Sequence, residues 1–273
     1  MSDRVTVTIE DGIADVRLNR PDKLNAIDLA MFQALADTGD GLHTDRSVRA
    51  VVLSGEGRSF CAGLDLSAMT AMANPPDAPA GDSPAGTLGG RLPGKITNLG
   101  QQAVYTWTEM PVPVIAAVTG HAFGGGFQLA LGADIRFVHP EASLSVMEVR
   151  WGILPDMTGI PMLVRLVGLD VAKELTFTAK RFSGAEAFEL GLATHLSEDP
   201  RADAFALARE IAGKNPDAIR GAKALLEAAP GRPRAEAFLA ESEAIGKLIG
   251  SPNQIEAVTA EMEGRPPKFS MPS

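Results

Sequence analysis

From residue 5 to residue 18 apolar and polar positions alternate. Val5, Val7 and Ile9 are interleaved with Thr6, Thr8 and Glu10, Asp11-Gly12 supplies a turn, and the apolar positions resume over 13–18. A two-residue period broken by Asp-Gly predicts a β-hairpin. Residues 19–23 read as a loop. The spacing then becomes helical over 28–42, where Leu29, Phe32, Leu35 and Ala36 share a face. Short β-branched runs at 48–53 and 113–118 predict buried strands, with a helix over 96–109 between them. Residues 119–123 read as a turn, Gly124, Gly125 and Gly126 follow, 127–133 suits a buried helix and 134–138 a strand.

Further on, helical spacing is expected over 160–167 and 171–177, with a loop over 178–182. Ser183 followed by Glu186 is a cap-to-acid pattern that predicts a short helix ending near Gly191. Residues 192–196 read as a strand, and 203–213, 216–229, 234–248 and 251–262 as helices. Repeated strand-to-helix changes predict an α/β layered core that gives way to a helical C-terminal region. We place the division at residue 200, with a core over 1–200 and a helical region over 201–273. The stretch 72–94, rich in Pro, Gly, Ala and Asp, specifies a core poorly and reads as a lid or a surface insertion.

Composition narrows the function classes. The 273 residues carry a net charge of −9, which argues against general nucleic-acid binding. Cys61 is the sole cysteine, so no internal disulfide forms and a reducing compartment is expected. Residues 1–4 lack a basic-then-apolar signal pattern, and no apolar run is long enough to span a bilayer. A soluble, cytoplasmic protein is the expectation.

The candidate chemistry lies in two glycine-bearing turns and a few acids. The stretches 61–64 and 123–126 each follow a predicted strand and lie near a helix start. One amide from each could hold a carbonyl oxygen that becomes negative in reaction, although packing glycines or a phosphate cradle explain the same spacing. Three consecutive glycines lack the dinucleotide spacing. Glu148 stands among Val146, Met147, Val149 and Trp151, where burial would raise its pKa and suit it to proton transfer. Asp156, eight positions on, follows Gly152 and Pro155, so both carboxylates could reach one cleft. Gln128 cannot act as an acid or base near neutral pH but can orient water or a carboxylate. Surface or structural roles remain open for all three. His43, His121, His139 and His195 are scattered and form no metal-ligand pattern. His121 and Cys61 read foremost as a local hydrogen-bond partner and a packing residue.

Several stretches together resemble the enoyl-CoA hydratase/isomerase, or crotonase, family over roughly residues 5–270. They are Asn19-Arg20-Pro21, Leu24-Asn25-Ala26, Ser59-Phe60-Cys61-Ala62-Gly63-Leu64-Asp65-Leu66, the run 113–118, the run 120–130 through Gly124-Gly125-Gly126, and Ala133-Asp134-Ile135-Arg136. The resemblance implies a spiral of ββα units with a helical C-terminal trimerisation region, and assembly as a homotrimer or a dimer of trimers. It implies an acyl-CoA thioester substrate, with coenzyme A entering as part of that substrate and no metal or redox cofactor. It assigns the oxyanion amides to Leu64 and Gly125, the adenine and pantetheine path to Ala62 and Leu64, and contacts with CoA phosphates to Arg265 and Lys268. Of the family's two hydratase glutamates, Glu148 matches the second, but Gln128 replaces the first. Asp156 matches an acid of the family's dienoyl-CoA isomerases. The expected reaction is therefore a double-bond shift with Glu148, assisted by Asp156, as proton shuttle. Hydration of a 2-enoyl-CoA is the alternative, followed by hydrolysis or carbon–carbon chemistry within the family and by noncatalytic acyl-CoA binding.

Overall fold

The computed structural model describes residues 4–67, 70 and 90–272. Most of the stretch read as a lid or insertion, residues 72–89, lies outside them. The hairpin forms as expected: β1 (Val5–Glu10) pairs antiparallel with β2 (Ile13–Leu18). From β2 onward the sheet is parallel, through β3 (Ala50–Gly55), β4 (Val114–Val118), β6 (Ile135–Val138) and β9 (His195–Leu196). Parallel strands need crossovers and are covered on both faces, which is why β3 and β4 read as continuous apolar runs rather than alternating ones.

The crossover after β2 contains α1 (Leu29–Thr44), and the one after β3 contains α2 (Leu99–Thr108). Asp28 caps α1 by accepting from the Met31 N–H, and α1 buries Met31, Phe32, Leu35 and Ala36. Leu29 departs from expectation: it is the first helical residue and is exposed. The second face of the sheet is covered by α7 (Pro200–Ala212), whose Ala204, Ala208 and Ala212 lie on Ile13, Ala50, Val52, Ile115 and Ala117. Small side chains at a four-residue spacing let this helix sit close to the strands. The helix that follows residue 200 thus packs on the sheet.

A second, smaller sheet positions the site. It contains β5 (His121–Phe123), β7 (Ser143–Ser145) and β8 (Phe182–Ser183). Residues 121–123, read from sequence as a turn, are a strand of this sheet. So is Phe182, read as the end of a loop. Strands of two or three residues are too short to show a period. The chain leaving each large-sheet strand joins this layer by a bridge, Ile27 to Leu64 and Cys61 to Ala122. Successive β–β–α passages therefore bring their second strands side by side.

The remaining helices are α3 (Gly125–Leu131), α4 (Gly159–Val167), α5 (Leu169–Thr178), α6 (Gly184–Glu189), α8 (Pro216–Ala228), α9 (Arg234–Leu248) and α10 (Pro252–Glu263). Ser183 and Glu186 form the expected capping box on α6. No described residue of α9 is buried. Among the described residues, no helix is long and apolar enough to cross a membrane.

Candidate active site

The loop after β2 is anchored by two side chains. Arg20 donates to the Ala26 carbonyl at 2.6 Å and pairs with Asp65 at 3.0 Å. Asn25, fully buried, accepts from the Arg20 N–H and donates to the carbonyls of Glu56 and Ser59 at 3.0 and 2.7 Å. These bonds fix the loops after β2 and β3 against each other. Ile27 N–H then bonds Gly63 O at 2.8 Å, and Asp65 N–H bonds Ile27 O at 2.9 Å. In that pattern the intervening Leu64 N–H takes no part in the bridge.

The second glycine turn abuts the first. Gly63 has a φ of +87°, and a Cβ there would stand 2.5 Å from Phe123 O and 3.8 Å from Gly125 N. Only glycine fits such a backbone approach. Gly124 holds a φ of +50° with ψ −120° and turns the chain from β5 into α3. The first bond of α3 runs from Gln128 N–H to Gly124 O, so the Gly125 N–H is one of the donors that a helix start leaves without an internal partner. Leu64 and Gly125 line one cavity of about 520 Å³, together with Lys23, Ala62, Leu66, Met147, Glu148 and Trp151 among others.

Glu148 begins a short 3-10 helix, Glu148–Trp151, and is 6% exposed. Its Oε1 accepts a hydrogen bond from Gln128 Nε2 at 2.6 Å, while its Oε2 has no hydrogen-bond partner among the described residues. Burial pushes the Glu148 carboxyl above the usual glutamate range. Main-chain hydrogen bonding and the Gln128 bond oppose that shift, and the charge of Asp156 adds to it. Glu148 lines the cavity, and a buried carboxyl with a raised pKa can take and return a proton.

Gln128 is 2% exposed and does not line the cavity. Its Oε1 accepts from the Met157 and Gly159 N–H groups at 2.9 and 3.0 Å. With that oxygen doubly engaged, the amide can turn only its nitrogen toward Glu148. Gln128 is thus placed to orient the Glu148 carboxylate, with its own amide outside the cavity lining. Asp156 is exposed and also lies outside the cavity lining. It lies near enough for its charge to raise the Glu148 pKa, and burial raises its own carboxyl above the usual aspartate range.

Within one chain Arg265 and Lys268 do not line the cavity. Arg265 pairs with Glu256 and Glu263 at 2.7 and 2.6 Å, and the Lys268 N–H donates to Glu256. The cations that do line it are Lys23, Arg58 and Arg181, which the sequence reading did not single out. Lys23 and Arg58 adjoin Leu24-Asn25-Ala26 and Ser59-Phe60-Cys61, so closeness to those stretches was a usable signal. Arg181, which lies over the Phe123 ring at 4.9 Å, arrives from a distant part of the chain and has no local mark. Asp65, also in the lining, is held down to about 2 by its bonds to Ser67 and by Arg20, and so remains a carboxylate. His121 shares a 3.1 Å hydrogen bond with Ser59 Oγ and lies outside the lining. Cys61 is buried with its thiol pushed up to about 12 by burial. No group of three or more His, Cys, Asp or Glu among the described residues could hold a metal ion.

The family model described as enoyl-CoA hydratase/isomerase matches residues 8–272. The chain belongs to this family. Over 267 residues it is 33% identical to the human Enoyl-CoA hydratase domain-containing protein 2, mitochondrial, covering 95% of this chain and 86% of that one. It is 32% identical over 260 residues to the peroxisomal Delta(3,5)-Delta(2,4)-dienoyl-CoA isomerase of Arabidopsis thaliana, covering 93% and 91%. The solved structure of an enoyl-CoA hydratase from Bacillus anthracis superposes with a TM-score of 0.86 at 27% identity, covering 97% of this chain and 98% of that one. This hydratase/isomerase family member has the crotonase fold, in which an α/β core carries a helical C-terminal region. It is an enzyme that acts on acyl-CoA thioesters through an oxyanion held by main-chain amides.

Proposed function

We propose that this enzyme moves a carbon–carbon double bond of an unsaturated acyl-CoA, with Glu148 as the one proton-carrying group. The thioester oxygen accepts from the N–H groups of Leu64 and Gly125. The Glu148 carboxylate takes a proton from C2 of a 3-enoyl-CoA. The C–H electron pair forms an enolate conjugated with the C3=C4 bond, and the two amides stabilise the negative oxygen. The protonated carboxyl then returns the proton at C4, leaving the double bond between C2 and C3. No atom is gained or lost, and no water is consumed.

The observation that carries this reading is the Glu148–Gln128 pair. The Glu148 carboxyl lines the cavity, and the side chain that braces it is an amide with no acid or base to offer. Water addition is better served by two groups that can exchange protons, and Gln128 has none to exchange. The names of the hydratase relatives favour water addition as the second reading. Incubation in deuterated water with 2-enoyl- and 3-enoyl-CoA separates the two. A double-bond shift with deuterium at C2 or C4 and no gain of water supports our reading, and water addition as fast as isotope exchange overturns it.

We also propose a homotrimer, or a pair of trimers. The exposed Phe238, Leu239 and Ile245 of α9 and Ile255 and Met262 of α10 support it, being large apolar residues on helices that bury little within one chain. Light scattering that returns a monomer rejects this assembly.

A further inference from the structure

Two buried residues stand behind the cavity without lining it, Ile27 and Met157, 0% and 5% exposed. Ile27 works through both its main chain and its side chain. Its N–H donates to the Gly63 carbonyl and its own carbonyl accepts from the Asp65 N–H, so it brackets Leu64. Its Cδ1 lies against Gly125: a Cβ built on that glycine would stand 3.3 Å from it. Met157 is arranged in the same way. A Cβ on Gly125 would stand 2.8 Å from Met157 Sδ, and the Met157 N–H donates to Gln128 Oε1, whose amide nitrogen holds Glu148. Thr158, the next residue, is β-branched and has a φ of +69°. Such a conformation persists only where the surroundings impose it. Here it lets the N–H groups of Met157 and Gly159 meet on one oxygen.

We propose that Ile27 and Met157 are positioning residues. Packed together on Gly125, they form a strut that fixes the gap between the Leu64 and Gly125 amides and the place of both relative to Glu148. This rests on the reading above that those two amides hold the thioester oxygen. The contacts run from Leu64 through the main chain and side chain of Ile27 to Gly125. They continue through the side chain and main chain of Met157 to Gln128, and so to Glu148. Gly125 has no side chain with which to anchor itself, so the place of its N–H depends on what packs against its Cα. An oxyanion is stabilised by donors already aimed at it, and a close-packed interior passes the loss of one methyl on as a shift of its neighbours.

Infrared difference spectra of bound hexanoyl-CoA, isotope-labelled at the thioester carbonyl, read the hold on that oxygen, because hydrogen bonds to it lower its stretching frequency. This saturated ligand has no double bond to move. Binding to the wild type is expected to shift the band downward. Ile27→Val, which removes only Cδ1, and Met157→Ala should each lose much of that shift. Their kcat on an unsaturated acyl-CoA should fall about tenfold with KM nearly unchanged, short of the hundredfold or more that deleting one donor costs. Met157→Leu refills the volume and should restore most of both. Leu35→Ala opens a cavity in the same core on α1 and serves as the control for stability alone, with band and kcat unmoved. If Ile27→Val and Met157→Ala lower Tm as Leu35→Ala does but keep the wild-type band and kcat, the two residues only pack and the proposal is overturned. A wild-type band that does not move on binding removes the reading of the amides and the strut with it. If the band moves but no unsaturated acyl-CoA exchanges a proton, the proton-shuttle reading falls, while loss of the shift in the two variants still supports the positioning role.

Discussion

Asp134 and Glu148 are both carboxylates pressed into apolar surroundings, and burial pushes both above the usual carboxylate range. Their surroundings then diverge. Asp134 Oδ2 accepts from Lys223 Nζ at 2.7 Å and from the Val114 N–H at 2.7 Å. Lys223 is itself buried and also donates to the Val112 carbonyl at 3.0 Å. Burial pushes the lysine down and the aspartate up, each toward neutrality, and their contact opposes both shifts. Glu148 makes no ion pair among the described residues; the Gln128 amide and main-chain hydrogen bonds brace it. The first carboxylate joins α8 to the start of β4 and β6, and the second faces a cavity. An acid held by a lysine ties elements of the fold together, whereas one braced only by neutral groups keeps a proton site available.

The largest expected effect comes from removing the acid braced by neutral groups. Glu148→Gln should lower kcat by roughly a hundredfold to ten-thousandfold on any acyl-CoA that the wild type turns over. The same variant should fold normally, with a sign set by linkage. A raised carboxyl pKa contributes stability below the unfolded value, and that contribution is lost as pH rises through the folded value. The melting temperature of Glu148→Gln relative to wild type should therefore climb as pH rises from the ordinary glutamate range to neutrality and beyond. A flat difference across that range would mean that Glu148 is not held in a desolvated state.

The lysine-held acid should show the reverse pattern. Lys223→Met leaves Asp134 buried without its cation and should destabilise the protein by about 3 kcal/mol in denaturant titrations. Activity per folded molecule should change little. Loss of turnover without loss of stability would erase the distinction between the two sites.

Gln128 offers an intermediate test. Gln128→Met removes the donor that favours ionised Glu148 and leaves the Met157 and Gly159 N–H groups unsatisfied. The Glu148 pKa should rise further, so the acidic limb of the kcat profile should move to higher pH, with kcat near neutrality down about tenfold. A merely structural glutamine would lower stability and leave that limb in place. The smallest effect concerns Cys61. With its thiol raised to about 12 and buried, it should resist alkylation in the native protein at neutral pH and react on denaturation, as read by mass spectrometry.

Legibility from sequence followed the length of each element. The hairpin through Val5 and Leu18 and the parallel strands at 50–55 and 114–118 show long enough patterns to be read from the chain alone. The capping box at Ser183 is a local signal and was read correctly. The second sheet was missed because each strand supplies two or three residues and takes its partners from other passages of the chain. Glu148 was found because its apolar neighbours are adjacent in sequence. Its brace is made by the Gln128 amide together with main-chain groups at 157 and 159, and Asp156, near in sequence, adds its charge to the same carboxyl. Trp151 was noted only as apolar company, since its one-turn relation to Glu148 depends on a 3-10 rather than an α-helical turn.

The bridges Ile27–Leu64 and Cys61–Ala122 have a practical consequence. They join Leu64 to Ile27 and Cys61 to Ala122 through main-chain hydrogen bonds, and the side chains at 62 and 151 take no part in either bridge. Those positions can be randomised to admit bulkier or more polar acyl groups while the electrophilic grip on the carbonyl stays as it is. A library confined to them would sample new substrates on a fixed reactive frame.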